Sequence, residues 1–214
     1  MLDFRTLSVD ELSSILTLQQ VVVDDLKDKR VLQPLSEAEF LNILGGNGLM
    51  IGVYEGDQLV AFRALLKPDP SEDEHLGADV GANDLTRVLY QEVSVVHPMM
   101  RGKGLQQKMG EYIMAQIDVS LYDWVCATVM PFNIASMKDK LAQGLFIRGL
   151  KLKYGGKLRY VFGKDLRSTN LHAFTERESV AMANTEEQQL LLAQGFVGTG
   201  MALVEDEWFV QYEK

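Results

Sequence analysis

Apolar positions recur along this chain in two periods. From Leu12 to Leu26 they fall at Leu12, Ile15, Leu16, Val22, Val23 and Leu26, a mostly helical spacing. Ser8-Val9-Asp10-Glu11 just ahead is a capping box, which predicts where that helix starts. A second box, Ser36 to Glu39, predicts a short helix through Phe40, Ile43 and Leu44, closed by Gly45-Gly46. Leu49 to Tyr54 and Leu59 to Leu66 are β-rich runs around Glu55-Gly56-Asp57-Gln58, the pattern of an antiparallel hairpin. Pro68 to Asp84 then gathers six acids (Asp69, Glu72, Asp73, Glu74, Asp79 and Asp84) with proline and glycine, and reads as a long surface loop.

Beyond that loop, Val93, Val95 and Val96 predict a buried strand, which Pro98 stops because it cannot donate to a ladder. Leu105, Met109, Tyr112, Ile113 and Ile117 form the stripe of a core-facing helix. Trp124 to Met130 predicts another strand. Asn133 is a good N-cap for a helix over 134–143, with Gly144 as its stop. Leu150, Leu152 and the run Leu158 to Phe162 require at least one further strand, and 165–183 is too polar to assign. Thr185 to Ala193 predicts a helix capped by Thr185 and stopped by Gly195, and Trp208 to Tyr212 a terminal edge strand.

Composition narrows the function. At 214 residues and 47% hydrophobic content, the chain can build one sizeable core. A net charge of −9 disfavours nucleic acid as a partner, whose binding rests on cationic contacts to phosphate. A basic or neutral partner is easier to attract. The single cysteine, Cys126, excludes an internal disulfide and reads as a small buried hydrophobe. No leader pattern and no apolar run of membrane-spanning length is visible, so a cytoplasmic protein off the membrane is expected. His75, His97 and His172 lack metal-ligand spacing, and no metal is expected.

The chemistry concentrates in the turn before the second long helix. Arg101-Gly102-Lys103-Gly104 places two cations and two conformationally free glycines at a helix N-terminus. The free N–H groups and the helix dipole favour an anion there, and a diphosphate fits. Taken alone, Gly102-Lys103-Gly104 reads better as a tight turn with two solvated cations beside it.

In context, Val96-His97-Pro98-Met99-Met100-Arg101-Gly102-Lys103-Gly104-Leu105-Gln106 resembles the acetyl-CoA pyrophosphate loop of the GNAT N-acetyltransferase superfamily. That pattern is Gln or Arg, two residues, Gly, one residue, then Gly or Ala. Arg101 and Gly104 match, and Gln106 stands where the last small residue belongs, as in an Arg-Gly-x-Gly-Leu-Gln subtype. Asn133, Ser136 and Gly144 match a second family element, with Leu145 in place of its phenylalanine. The resemblance spans about residues 1–165 and is strongest over 90–145. It implies one GNAT-like domain over 1–214, with a core of about 1–165 and a C-terminal elaboration over 166–214. The implied fold is α/β (α+β), a mixed, mostly antiparallel central sheet with helices on both faces. A nucleotide-binding α/β domain competes, but its glycine turn would open a βαβ unit rather than follow a hairpin.

The reaction so implied is acetyl transfer from acetyl-CoA, the co-substrate, to a primary amine of a small molecule or peptide by a monomer or homodimer. By resemblance, Val95, Val96, Arg101, Gly102, Lys103, Gly104, Leu105, Gln106, Asn133 and Ser136 hold the CoA, with backbone N–H groups near Val95 and Val96 polarising the thioester. Glu92 is the candidate base, its alternative being a solvated strand-end carboxylate. The family's frequent acid, a tyrosine seven residues past the capping asparagine, is replaced by Lys140. A lysine there can steady a thiolate or merely lie solvated on the helix, and Tyr154 or Tyr160 can substitute. A non-catalytic acyl-CoA-binding protein and a transferase of another acyl group stand as alternatives.

Overall fold

The computed structural model describes residues 1–168 and 174–214; the expectation about His172 lies outside the described residues. In chain order the first elements are β1 (Leu2–Thr6), α1 (Leu12–Asp25), α2 (Glu37–Asn42), β2 (Gly48–Glu55) and β3 (Gln58–Leu66). Next come α3 (Leu76–Val80), β4 (Val88–Val96), α4 (Leu105–Met114), β5 (Trp124–Val129) and α5 (Ile134–Ala142). The chain continues through β6 (Phe146–Lys153), β7 (Lys157–Asp165), β8 (Arg177–Ala181), α6 (Thr185–Ala193), β9 (Val197–Val204) and β10 (Glu207–Glu213). This is an α/β fold of mostly antiparallel strands with helices packed on them. It falls into two compact units, Met1–Pro68 with Leu89–Asp118, and Asp69–Val88 with Val119–Lys214. Among the described residues, no helix is long and apolar enough to cross a membrane.

In the first unit the strands lie in the order β1-β2-β3-β4, each antiparallel to its neighbour. Both predicted capping boxes form: Ser8 with Glu11, and Ser36 with Glu39. Backbone and hydroxyl donors hold the Glu11 and Glu39 carboxyls below the usual carboxylate pKa. Ile15, Leu18 and Val22 of α1 and Phe40 of α2 join Met50, Tyr54, Phe62, Ala64, Val93 and Val95 in one core. Burying a side chain such as Phe40 or Ile15 contributes about 1.5–3 kcal/mol. The alternate strand residues Ile51, Val53 and Ala61 are also buried, and α4 contacts β2 and β3, so helices cover both faces here.

In the second unit the antiparallel order is β5-β7-β6-β9-β10-β8. Here α5 contacts β5 and β9, α6 contacts β6 and β9, and α3 contacts β5, β6 and β7.

Several local expectations need correction. The Trp208–Tyr212 strand is not an edge: β10 pairs with β9 on one side and β8 on the other. The edge is β8, whose exposed Arg177, Glu178 and Ser179 suit a strand that must not recruit another. The cap of α6 is Asn184, which accepts from the Glu187 N–H at 3.3 Å, not Thr185. The acidic stretch is anchored rather than a free loop, with His75 and Leu76 buried and α3 inside it. The hydrophobic pattern predicts no strand at β1, β8 or β9; β1 is five residues long and pairs antiparallel with β2.

Candidate functional site

Strand β4 carries the first feature. Its register against β3 pairs Leu65 with Gln91 and Ala64 with Val93, so Glu92 is the extra residue of a β-bulge. Gln91 and Val93 are buried while Glu92 is exposed, so the bulge turns one carboxylate outward between two buried neighbours. Further along, the His97 N–H bonds to the Val60 carbonyl at 2.9 Å. The antiparallel alternation then commits Val95 to a hydrogen-bonded pair with Phe62 and turns the Val96 N–H away from β3. Of the two predicted backbone donors, Val96 is the one whose N–H the β3 ladder leaves unused.

The turn after β4 is built stepwise. His97 Nδ1 accepts from the Met99 N–H at 3.3 Å, Pro98–Met100 forms one 3-10 turn, and buried Met100 pins it. The chain then rises through Gly102 (φ +76°) and Gly104 (φ +70°), backbone angles that side chains resist. Gly104 is the N-cap of α4 and brings no side chain to satisfy the first-turn N–H groups. A Cβ at either glycine would meet nothing within 4 Å, so the space over this backbone is open. Buried Leu105, Met109 and Ile113 hold α4 beneath the turn, and Gln106 is half-buried. Lys103 Nζ lies 3.2 Å from Met100 Sδ. Arg101 is paired at 2.5 Å with Asp25, the last residue of α1. An exposed, positively flanked helix N-terminus with open glycines can receive an anion.

In the second unit, Asn133 is an N-cap as predicted: its Oδ1 accepts from the Ser136 N–H at 3.3 Å. Lys140 is 7% exposed, so the solvated-lysine reading is corrected; it pairs with Asp139 at 3.2 Å. Tyr160 is fully buried and its hydroxyl donates to Gln188 Oε1 at 2.7 Å. Burial pushes its phenol pKa well up, which speaks against a proton donor there. Tyr154, by contrast, is 51% exposed, with its hydroxyl 3.1 Å from Thr128 Oγ1.

Three features escaped the sequence. The acidic stretch is tied to the β6–β7 hairpin, with Asp79 paired to Lys151 and Lys153 and Glu74 accepting from the Tyr154 N–H at 2.8 Å. A groove of about 570 Å³ in the first unit is lined by Ser13 and Thr17 of α1, Glu55, Asp57 and Gln58 of the hairpin turn, and His97. The Arg101–Asp25 pair spans 76 residues, and no sequence signal marks it. Among the described residues, no cluster of His, Cys, Asp and Glu is placed to hold a metal ion. Cys126 is buried, and burial pushes its thiol pKa up.

No family model and no curated protein sequence matches the chain. Solved structures do match in fold. The ribosomal-protein-S18-alanine N-acetyltransferase of Escherichia coli superposes with a TM-score of 0.55 at 13% identity, covering 82% of this chain and 100% of that one. An N-acetyltransferase from Staphylococcus aureus gives 0.57 at 15%, covering 78% and 99%. Arabidopsis thaliana NAA60 in complex with acetyl-CoA also gives 0.57 at 15%, covering 78% and 100%. The chain therefore shares its fold with these acetyltransferases, as the resemblance implied.

Proposed function

We propose that this protein is an acetyl-CoA-dependent N-acetyltransferase acting on a primary amine of a small molecule or peptide. The observation that carries the reading is the turn from Arg101 to Gln106, with its open glycines at an uncapped helix N-terminus. The fold likeness supports it, including a neighbour in complex with acetyl-CoA. In this reading the N–H groups at the start of α4 and the Arg101 and Lys103 charges hold the diphosphate. Acetyl-CoA supplies the activated acetyl group. The Val96 N–H, turned away from β3, donates to the thioester carbonyl.

An alkyl amine is mostly protonated at neutral pH and must lose a proton to attack. Glu92, turned outward by the bulge, takes that proton directly or through one water. The C–N bond forms, the C–S bond breaks, and the sulfur takes up a proton. Of the two phenols that the resemblance offers as acids, Tyr160 is buried and Tyr154 is 51% exposed. Buried Lys140 and Tyr160 favour a second reading, a protein that binds an acyl-CoA without turnover. Free-thiol release from acetyl-CoA with a panel of amines separates the two. Release above the amine-free rate with any acceptor supports the transferase; CoA binding with no release for any amine supports the binder.

A further inference from the structure

The Arg101–Asp25 pair sits at odds with the rest of α1. Helix C-termini carry partial negative charge and favour cations. Here α1 ends in Asp24-Asp25 with no basic residue in its last turn. The chain instead sends Arg101 across from the turn before α4 to meet Asp25 at 2.5 Å. Both side chains are near half exposed, at 44% and 43%, so the pair opens to solvent and is reachable by a dissolved anion. Arg101 is also the charged residue of the glycine turn best shaped to grip a phosphate, because its planar fork donates in pairs.

We propose that Asp25 is a built-in competitor for the CoA diphosphate at Arg101. This rests on the reading of that turn as the CoA site. With no CoA bound, Asp25 holds Arg101 and offsets the unfavourable charge at the end of α1. CoA binding transfers Arg101 from carboxylate to phosphate and leaves Asp25 against the negative helix end. The pair therefore lowers CoA affinity and couples occupancy of the turn to the last turn of α1.

The test is calorimetric titration of CoA into four proteins at low salt: wild type, Asp25→Asn, Arg101→Ala, and the double variant. Asp25→Asn should bind CoA about 2- to 5-fold more tightly, the scale of one exposed ion pair. That gain should vanish in the Arg101→Ala background, because the competition acts through Arg101. A gain of equal size in both backgrounds would reduce Asp25 to one more charge on an acidic protein and overturn the proposal. So would weaker binding by Asp25→Asn, which would make Asp25 a residue that positions Arg101. Absence of CoA binding in all four proteins would remove the CoA reading and this proposal with it, whereas binding without a gain removes this proposal alone.

Discussion

The turn at Arg101–Gln106 and the cluster at Tyr160 are both polar sites set against apolar cores, and they are built in opposite ways. In the cluster, Gln188 is fully buried; its Oε1 accepts from Tyr160 at 2.7 Å and from Tyr212 at 2.9 Å. Its Nε2 donates to the Ala181, Met182 and Asn184 carbonyls. Its donors and acceptor are all committed, so α6 is fastened to β7 and β10. In the turn, the backbone N–H groups at the start of α4 have no side-chain cap and the glycines face open space. A site that fastens spends its hydrogen-bonding groups within the fold. A site that binds keeps some unspent and exposed, which is why the aromatic hydroxyl of Tyr160 reads as structure and the bare turn as function.

The largest effect expected from this contrast is at the outward carboxylate of β4. Glu92→Gln should lower kcat/KM for a good amine by about 10²- to 10⁴-fold near neutral pH, with CoA affinity unchanged. The loss should shrink at high pH, where the amine is already neutral. A fall of less than threefold across a pH–rate profile would leave Glu92 as a strand charge. In the cluster, Gln188→Leu should orphan two buried hydroxyls and lower unfolding free energy by about 2–5 kcal/mol in urea denaturation. A change below about 0.5 kcal/mol would mean that the cluster does not fasten the unit.

A smaller effect is expected at the turn. Gly104→Val has space for its side chain, so its stability loss should be the backbone strain of a positive φ, about 1–2 kcal/mol. Its CoA affinity should fall further than that strain alone accounts for, because the side chain covers the backbone approach. Stability that falls while CoA binding stays unchanged would separate the turn from the ligand.

The smallest effect concerns the buried imidazole of the acidic stretch. Burial lowers the His75 pKa below its ordinary 6.5, so the folded state resists protonation more than the unfolded chain does. The unfolded state then binds the proton first as pH falls. His75 therefore contributes stability that is complete above about pH 6.5 and is lost below it, down to its folded pKa. His75→Asn keeps a cap for α3 and should flatten the stability-versus-pH curve over that window. An unchanged slope would show that another group sets it.

What the sequence could reveal followed the range of the interactions. Both capping boxes, the β2–β3 hairpin and the Asn133 cap were legible because each lies within a few residues of its partner. The glycine turn was legible because Gly102 and Gly104 advertise backbone angles that other residues avoid. The bulge at Glu92 was not, because it exists only in register with β3. The burial of Tyr160 and Lys140 was hidden for a similar reason. Gln188, which fixes Tyr160, lies 28 residues away, and a lysine in a helix usually reads as solvated. The inner place of β10 depended on β8 and β9, neither of which was visible in the polar C-terminal third.

The central claim is that the Arg101–Gln106 turn holds the CoA diphosphate, and a titration of CoA into wild type and Arg101→Ala tests it most directly. A charge-assisted phosphate bond contributes about 1–3 kcal/mol. Arg101→Ala should therefore bind CoA about 5- to 150-fold more weakly by calorimetry, with its thermal stability little changed. CoA affinity equal in the two proteins would contradict the account.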